Sequence, residues 1–447
     1  MVNHFEKNSK ITTKVGLSHS LRNLIWFNNI DIDTFFPRCF DASEQAELDD
    51  LVTEVKAVKA ESVLRRYCNG GKIEENVVKV ALGVCKRRLK DLDDLIDDPN
   101  IQNFTLVTAE EWAVLASDEM TTEELQRQKH EEWLVRNEMS PKVPVAQQTD
   151  TKFVSCPEDN PLFEEIQSVL SQFKEKFPQF GINGCGNTWI AKPASLSRGR
   201  GIACFNSLVQ ILDYLRKEGQ WVVQKYIENP LLILNKKFDI RQWVLVTDFN
   251  PLTVWFYESC YLRFGVEDFD MANLQNRFIH LTNNSIVKHS EKFDETEIEG
   301  SMWHSEEFAE FLMEQYGENH WENSIKPKIK NIVKWSLESA QDMIEGRKLS
   351  SELFGYDVML DENLNPWLIE INSSPAMDYS TPVTKRLVKE VMEDCIKVLV
   401  DYNYASTKKR PHVKTGNFTL IYKAKRMVEQ PQQAFGLNLV CQGKPLK

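Results

Sequence analysis

The segment 357–372 constrains the fold of this 447-residue chain more than any other. It reads Asp-Val-Met-Leu-Asp-Glu-Asn-Leu-Asn-Pro-Trp-Leu-Ile-Glu-Ile-Asn, so two apolar runs flank a turn rich in Asp, Glu, Asn and Pro. This pattern predicts a β-hairpin. Folding about the bond between Asn363 and Leu364 places Asp357 opposite Glu370, with Cβ atoms about 4.5–5.5 Å apart. Asn372 follows Glu370 by two residues and therefore faces the same side.

The hairpin predicts a cation site. Two carboxylates and an amide oxygen that converge among apolar neighbours are costly unless a cation neutralises them. Oxygen ligands of this kind suit Mg²⁺, which proteins usually hold with one or two carboxylates and substrate phosphates. The alternative is a surface hairpin with scattered, solvated acids. An isolated hairpin favours that alternative, so the rest of the chain has to decide between the two.

Bulk properties narrow the protein class. The length predicts two or three domains. The net charge of −12 argues against general nucleic-acid binding. No apolar run has the length of a membrane span, and the polar N-terminus does not resemble a signal peptide, so no membrane insertion is expected. The nine cysteines form no CxxC motif, which favours a reduced intracellular protein over a zinc site or disulfide framework.

Basic residues form two clusters in this acidic chain. The first has seven basic residues and one acid, Glu429, between residues 406 and 430, and the second lies at residues 86–90. The basic residues are Lys408, Lys409, Arg410, Lys414, Lys423, Lys425 and Arg426 in the first cluster, and Lys86, Arg87, Arg88 and Lys90 in the second. Each cluster is compatible with steering of a polyanionic partner or with ordinary solvated surface charge.

The first third of the chain reads as mainly helical. Residues 1–30 are polar with little periodicity, which predicts a partly ordered extension. Apolar residues recur at helical spacing over 44–66, and Thr108 and Thr121 each open a capping box. The two prolines in 140–150 indicate a linker.

After residue 160 strands and helices mix, which predicts an α+β fold. The predicted strands are 188–193, 201–205, 221–227, 239–246 and 252–257. The predicted helices are one from Asn160 to Phe177, then 207–217, 301–316, 325–344 and 381–402, the last with Thr381 as N-cap and Pro382 at the first helical position.

Several polar residues of this region suit a nucleotide. Lys192 ends the first of these strands, and Arg198-Gly-Arg-Gly-Ile202 follows, a tract whose backbone N–H groups could form a phosphate nest. It is not a Walker A motif, and no protein-kinase HRD or DFG motif occurs. On a strand, Lys237, Asp239 and Arg241 share one face, either exposed to solvent or lining a site.

The order of these motifs resembles the tubulin-tyrosine-ligase-like family, which has an ATP-grasp fold. The resemblance covers residues 188–402, about half of the chain. Its motifs are Lys192, Arg198-Gly-Arg-Gly-Ile, Gln224-Lys-Tyr-Ile, Lys237-Phe-Asp-Ile-Arg, Arg263, His280-Leu-Thr-Asn-Asn-Ser, Asp357 and Glu370-Ile-Asn-Ser-Ser-Pro. Segments 23–27, 35–39 and 371–377 are most similar to the glycylating branch, and within it to the initiating monoglycylases.

The resemblance implies ATP and Mg²⁺ as cofactors and a role for each motif. The implied ATP-binding residues are Lys192, Arg198, Gly199, Arg200, Gly201, Ile202, Gln224, Lys225, Tyr226, Ile227, Lys237, Asp239, Thr282 and Asn283, with Asp239 on the ribose. The implied magnesium ligands are Asp357, Glu370 and Asn372. Arg241, Arg263 and Glu370 would be catalytic, and Arg263, Asn284, Ser285 and Lys385 would contact the substrates.

The expected reaction is ATP-dependent attachment of glycine to glutamate side chains of tubulin tails through an acyl phosphate. Relatives that add glutamate often carry Tyr where Asn284 stands, so Asn284 is a candidate for amino-acid choice. The alternatives are a glutamate or tyrosine ligase of the same family, or an inactive microtubule-binding ATP-grasp module. The expected partners are tubulin or microtubules, through their acidic tails, and free glycine, with no nucleic acid.

The resemblance also implies the organisation and location of the protein. We expect a monomer in the cytoplasm and on the cytoskeleton of the ciliary or flagellar axoneme. The ATP-grasp ligase would have N-terminal, central and C-terminal domains. The predicted parts are an N-terminal extension (1–30), a mainly helical N-terminal domain (31–155), a central ATP-grasp domain (156–236), a C-terminal ATP-grasp domain (237–405) and a basic tail (406–447).

Overall fold

The computed structural model describes residues 2–90, 105–118, 153–154, 161–293, 298–347 and 349–429. Its helices are Ser9–Thr12, Lys14–Arg22, Leu24–Asn28, Gln45–Cys68, Glu75–Leu89, Ala109–Ser117, Pro161–Lys176, Leu208–Leu215, Arg277–His280, Asn284–Val287, Ser305–Tyr316, Lys326–Glu338 and Pro382–Ile396. The predicted linker at 140–150 and the capping box at Thr121 lie outside the described residues. The predicted boundary at 155/156 does too, and all the domain limits stay predictions.

The strands form a larger sheet, a smaller sheet and one short pair. They are β1 (Val2–Asn3), β2 (Cys39–Asp41), β3 (Ile73–Glu74), β4 (Phe153–Val154), β5 (Trp189–Pro193), β6 (Ala203–Phe205), β7 (Trp221–Lys225), β8 (Leu232–Ile233), β9 (Lys236–Phe249), β10 (Leu252–Tyr257), β11 (Tyr261–Phe264), β12 (Met302–His304), β13 (Ser350–Leu360), β14 (Pro366–Asn372) and β15 (Phe418–Lys423). Helices and antiparallel sheets together confirm the predicted α+β class.

The long strand β9 organises the larger sheet. It pairs with β13 on one side and with β10 and β11 on the other. Because side chains alternate along a strand, its two faces have different environments. Ile240 and Val244 belong to the main apolar core, beneath helix Lys326–Glu338, whereas Trp243 packs towards helix Pro382–Ile396 on the opposite face.

The predicted hairpin is confirmed. Strands β13 and β14 pair antiparallel, and Asp357 lies opposite Glu370. The turn differs from the prediction, because Leu360 pairs with Pro366 and the loop is therefore centred on Asn363 rather than on the bond that follows it. A register shift just after Asp357 adds one residue to β14 and restores the predicted pair.

The smaller sheet has the order β2-β7-β5-β6. Its apolar face packs on helices Gln45–Cys68 and Leu208–Leu215. Helix Gln45–Cys68 also joins a helical layer in which Ile166 and Phe173 of helix Pro161–Lys176 are fully buried, as their spacing predicts. Thr108 forms the predicted capping box at the start of helix Ala109–Ser117. None of the described helices combines the length and apolar character needed to cross a membrane.

The prediction that residues 1–30 form a partly ordered extension is wrong. Ile11, Leu17, Leu21 and Leu24 are buried in the main core. The buried carboxylate of Glu352 fastens the start of this segment, because it accepts hydrogen bonds from the Phe5 backbone and from side chains at positions 4 and 8. Short helices separated by turns hide the apolar periodicity that a longer helix would show.

Two other predictions need correction. The helix expected over 301–316 begins only at Ser305, because residues 302–304 form β12 and pair with β11. The basic tail is not a simple appendage, since β15 pairs with β10 along the edge of the larger sheet. Both differences depend on strand partners that are distant in sequence, which a local pattern does not reveal.

Candidate functional site

A cleft of about 840 Å³ lies between the two sheets. The predicted site residues that line it are Lys192, Arg198, Gly199, Ile202, Gln224, Lys225, Tyr226, Ile227, Lys237, Asp239, Arg241, Arg263, Thr282, Asn283, Asn284, Ser285, Asp357, Glu370 and Asn372. Three predicted site residues do not line the cleft and are exposed to solvent: Arg200, Gly201 and Lys385. The structure therefore brings most of the predicted set together in one cavity.

The predicted metal ligands converge on the hairpin. The Asn372 amide nitrogen lies 3.3 Å from Asp357 Oδ2 and 3.5 Å from Glu370 Oε1. Rotation of this amide by half a turn would present its oxygen to a cation instead. The described ranges contain no group of three His, Cys, Asp or Glu side chains that could hold a metal ion, so this set relies on the amide as its third donor. Two carboxylates and an amide fit Mg²⁺, which completes its coordination with phosphate and water oxygens.

Two buried arginines hold Asp357. Arg241 donates from Nε to Asp357 Oδ1 at 2.5 Å, and Arg263 lies 2.9 Å from Asp357 Oδ2. Arg263 also binds both oxygens of Asp239, with Nε 2.8 Å from Oδ1. The cross-strand pairs Asp357–Arg241 and Asp239–Arg263 create this network, because each pair shares one level of the sheet.

The two facing carboxylates have opposite electrostatic environments. Burial by itself raises the pKa of Asp357, but Arg241 and Arg263 outweigh it and hold the pKa well below its usual range. The pKa of Glu370 is raised, mainly by burial and then by the adjacent Asp357 charge, and Lys14 and Lys192 only partly oppose the rise. A bound cation would therefore stabilise the ionised form of Glu370 more than that of Asp357.

Two buried lysines supply positive charge to the cleft. Lys192 Nζ donates to Gln224 Oε1 at 2.7 Å, and Lys237 Nζ donates to the His280 carbonyl at 2.7 Å. Burial lowers the pKa of Lys237 to about 8 and also lowers that of Lys192. An anion such as phosphate would favour the protonated form of both groups.

Lys225 lines the cleft but its ammonium is engaged elsewhere. Lys225 Nζ lies 2.6 Å from Glu228 Oε1 and donates to the Thr188 carbonyl at 2.9 Å. Glu228 in turn accepts backbone hydrogen bonds from Gly186 and Thr188. Within the predicted adenine segment, Lys225 therefore stabilises the strand and leaves only its backbone for a base.

The glycine-rich loop has the conformation that its sequence predicts. Arg198, Gly199 and Gly201 have φ values of 61°, 70° and 69°. Gly199 suits this position because of its left-handed φ, and a Cβ there would also lie 2.2 Å from Ile286 Cδ1 of the short helix Asn284–Val287. Arg277 also donates to the Gly199 carbonyl at 3.1 Å. The loop is thus held beside the cleft by side chains of other segments, Arg277 and Ser285 among them, which donate to its backbone carbonyls.

Lys14 is a cleft residue that sequence reasoning missed. It lines the cleft, donates to the Leu196 carbonyl at 2.9 Å and acts on the charge of Glu370. One sequence signal marks it: Lys14 is the first residue of helix Lys14–Arg22, where a cation opposes the helix dipole. The long sequence separation from the other site residues concealed its role.

The two basic clusters have different environments. Three residues of the cluster at 86–90 form ion pairs, which indicates a structural role. These pairs are Lys86 with Glu165, Arg87 with Glu111 and Arg88 with Glu54. In the tail, Lys408, Lys409, Lys414, Lys423, Lys425 and Arg426 are exposed and form no ion pair with any described residue. The tail cluster is therefore the one available to a polyanion.

Comparison with known proteins relates this chain to one protein family. Residues 115–409, more than half of the chain, match the model of the tubulin-tyrosine ligase family. The whole chain is 48% identical to Tubulin glycylase 3C of Tetrahymena thermophila and spans 45% of it. The whole chain is also 36% identical to Tubulin monoglycylase TTLL3 of Mus musculus and spans 48% of that protein. Over 95% of its length, the chain is 36% identical to Protein monoglycylase TTLL8 of Mus musculus and spans 52% of that protein.

The chain spans about half the length of these curated relatives. The family match and the cleft residues are consistent, because the matched range contains every predicted site residue. The chain belongs to the tubulin-tyrosine ligase family, and its α+β architecture is of the ATP-grasp type found in that family.

Proposed function

We propose that this chain is an ATP-dependent ligase that joins glycine to the γ-carboxylate of glutamate side chains in tubulin tails. The observation that carries the proposal is the convergence of Asp357, Glu370 and Asn372 beside Arg241 and Arg263 in one buried cleft. Similarity to glycylases and monoglycylases supports glycine as the donor.

One side of the cleft would hold the nucleotide. Lys192 and Lys237 would contact the phosphates, and backbone N–H groups of the loop 198–202 would cover them. The backbone of 224–227 would contact adenine, with Thr282 and Asn283 nearby. Asp239 would bind the ribose through the lone pairs that Arg263 leaves open, since a carboxylate accepts about four hydrogen bonds.

The reaction needs an activated carboxylate. A glutamate γ-carboxylate oxygen attacks the terminal phosphorus of ATP; the new O–P bond forms as the bond to ADP breaks. The amine nitrogen of glycine then attacks the acyl carbon, phosphate leaves with the C–O bonding pair, and the amine loses a proton to water. Bound Mg²⁺ would neutralise phosphate charge. Arg241 and Arg263 provide preorganised positive charge beside the acyl phosphate, which is usually the largest catalytic contribution.

The donor would bind beyond the arginines. Arg263 uses Nε and one terminal nitrogen on Asp239 and Asp357, and its other terminal nitrogen has no hydrogen-bond partner among the described residues. That nitrogen suits the glycine carboxylate. Asn284 and Ser285 also line the cleft, and Lys385 is exposed on the first turn of helix Pro382–Ile396.

The acceptor would be an acidic tubulin tail on a microtubule in the ciliary axoneme. The exposed tail cluster offers six cations on a protein of net charge −12, and local charge can steer a polyanion that the bulk charge repels. The fit to an acidic tail favours this surface over the paired cluster at 86–90.

The test is a transfer assay with purified protein, microtubules, Mg-ATP and labelled glycine, glutamate or tyrosine in separate reactions. We expect incorporation of glycine alone, and no incorporation by Glu370→Gln, which retains microtubule pelleting. Incorporation of glutamate or tyrosine instead of glycine would favour another ligase of the family. Microtubule binding with no incorporation of any of the three would favour an inactive binding module.

A further inference from the structure

Met302 occupies a defined place beside the predicted donor site. Strand β12 pairs with β11 so that Met302 lies opposite Arg263, and Arg263 lies opposite Asp239 on β9. Residues paired across antiparallel strands place their side chains on the same face. All three side chains line the cleft, and only 5% of Met302 is exposed. Met302 thus forms the wall next to the arginine on the side away from Asp239.

The surroundings hold Met302 in place. Thr381 Oγ1 donates to Met302 Sδ at 3.3 Å. Thr381 is itself fixed as the N-cap of helix Pro382–Ile396. The preceding turn is tight, with Gly300 and Ser301 at φ values of 60° and 52°, and a Cβ on Gly300 would lie 3.0 Å from Thr381 Cγ2. Methionine side chains are normally flexible. Because the contacts above restrict the side chain of Met302, it occupies a fixed volume.

We propose that Met302 selects glycine by filling the space that a side chain on the donor's α-carbon would occupy. The inference rests on the proposed function. The free terminal nitrogen of Arg263 orients the donor carboxylate, which places the α-carbon near the adjacent wall. In this proposal the thioether chain of Met302 is the apolar surface that a methyl group on that α-carbon would clash with. Glycine, which has no side chain, meets no obstacle there.

The effect should be measurable with the smallest competing donor. Alanine differs from glycine by one methyl group, and a difference of one carbon in a closed pocket changes kcat/KM about 10- to 200-fold. Met302→Ala removes three heavy atoms beyond Cβ and should admit that methyl group. Met302→Leu retains most of the volume and should keep the preference for glycine.

The experiment measures kcat/KM for labelled glycine and labelled alanine with the full chain, microtubules and Mg-ATP. We expect Met302→Ala to lower the glycine-to-alanine ratio by about 10-fold or more, while Met302→Leu stays within about 2-fold of the unaltered chain. A purely structural role would lower both rates together and leave the ratio unchanged. Mg-ATP binding and the unfolding midpoint establish that each variant is folded.

An unchanged ratio in a folded Met302→Ala variant that still transfers glycine would overturn the inference and leave the proposed function intact. Failure of the unaltered chain to transfer glycine would overturn both. Should Met302→Ala not fold, Met302→Val, which is smaller than methionine and suited to a strand, gives the same comparison. A ratio in Met302→Val equal to that of the unaltered chain would then refute the role of Met302.

Discussion

The facing carboxylates Asp357 and Glu370 should respond oppositely when each is converted to its amide. Both are expected to be required for turnover. Asp357 lies between two buried arginines, and the pKa of its carboxyl is held low by them. Glu370 forms no ion pair with a described residue, and burial beside Asp357 raises its pKa. We therefore expect the two variants to be equally inactive but to differ in stability.

The magnitude follows from the ion pairs. The side chains of Arg241 and Arg263 are each 7% exposed and that of Asp357 is 3% exposed. Removing one partner of such a buried network leaves uncompensated charge and costs about 3–5 kcal/mol. Asp357→Asn should lose about that amount. Glu370→Gln removes a partly buried charge that has no ion-pair partner among the described residues and keeps the shape of the side chain, so its stability should equal or exceed that of the unaltered protein.

The assay is equilibrium unfolding in urea, monitored by tryptophan fluorescence. Nucleotide is left out and EDTA is present, so that bound metal does not contribute to the measured stability. Asn372→Asp is a useful companion, because it adds a third carboxylate to the same cluster. It should destabilise the metal-free protein, and added Mg²⁺ should reduce that loss. Equal destabilisation by Asp357→Asn and Glu370→Gln would refute the assigned electrostatic asymmetry, whatever the effect on turnover.

Three further predictions concern the walls of the cleft. Because burial lowers the pKa of Lys237 to about 8, ATP binding should weaken about 10-fold between pH 7 and pH 9 in titrations of Kd. Lys237→Arg, which stays charged over this range, should reduce that pH dependence. Glu352→Ala removes the hydrogen-bond acceptor of residues 4–8, so it should lower the free energy of unfolding by about 1–3 kcal/mol and accelerate amide exchange over residues 5–22. The control Glu345→Ala breaks an exposed ion pair and should lower the free energy of unfolding by less than about 1 kcal/mol. Glu228→Ala leaves the Lys225 ammonium buried and unpaired and should cost about 3–5 kcal/mol in chemical unfolding; a change below about 1 kcal/mol would contradict the assigned ion pair.

Local patterns were sufficient for much of the site. Period-2 alternation placed Lys237, Asp239 and Arg241 on one face, and all three line the cleft. The turn chemistry of the hairpin brought Asp357 opposite Glu370, although a one-residue shift corrected the centre of the turn. These predictions succeeded because each depends on residues close in sequence, for which strand geometry dictates the neighbours.

Other roles depended on contacts between distant segments. The ion pair of Asp239 with Arg263 was not predicted, because only the pairing of β9 with β11 brings the two residues together. Lys225 lies in a motif associated with adenine, yet its ammonium binds Glu228. No strand or helix pattern specifies which of two possible partners a charged side chain will meet.

The sequence by itself determined the α+β class, the hairpin, the carboxylate pair and the order of the motifs that we propose to bind a nucleotide. Only the tertiary structure decided that Lys14 reaches the cleft and that Met302 stands beside Arg263. The physical reason is the range of the interactions. Backbone geometry and turn chemistry act over a few residues, whereas the electrostatics and shape of the cleft arise where sheets and the N-terminal helices pack together.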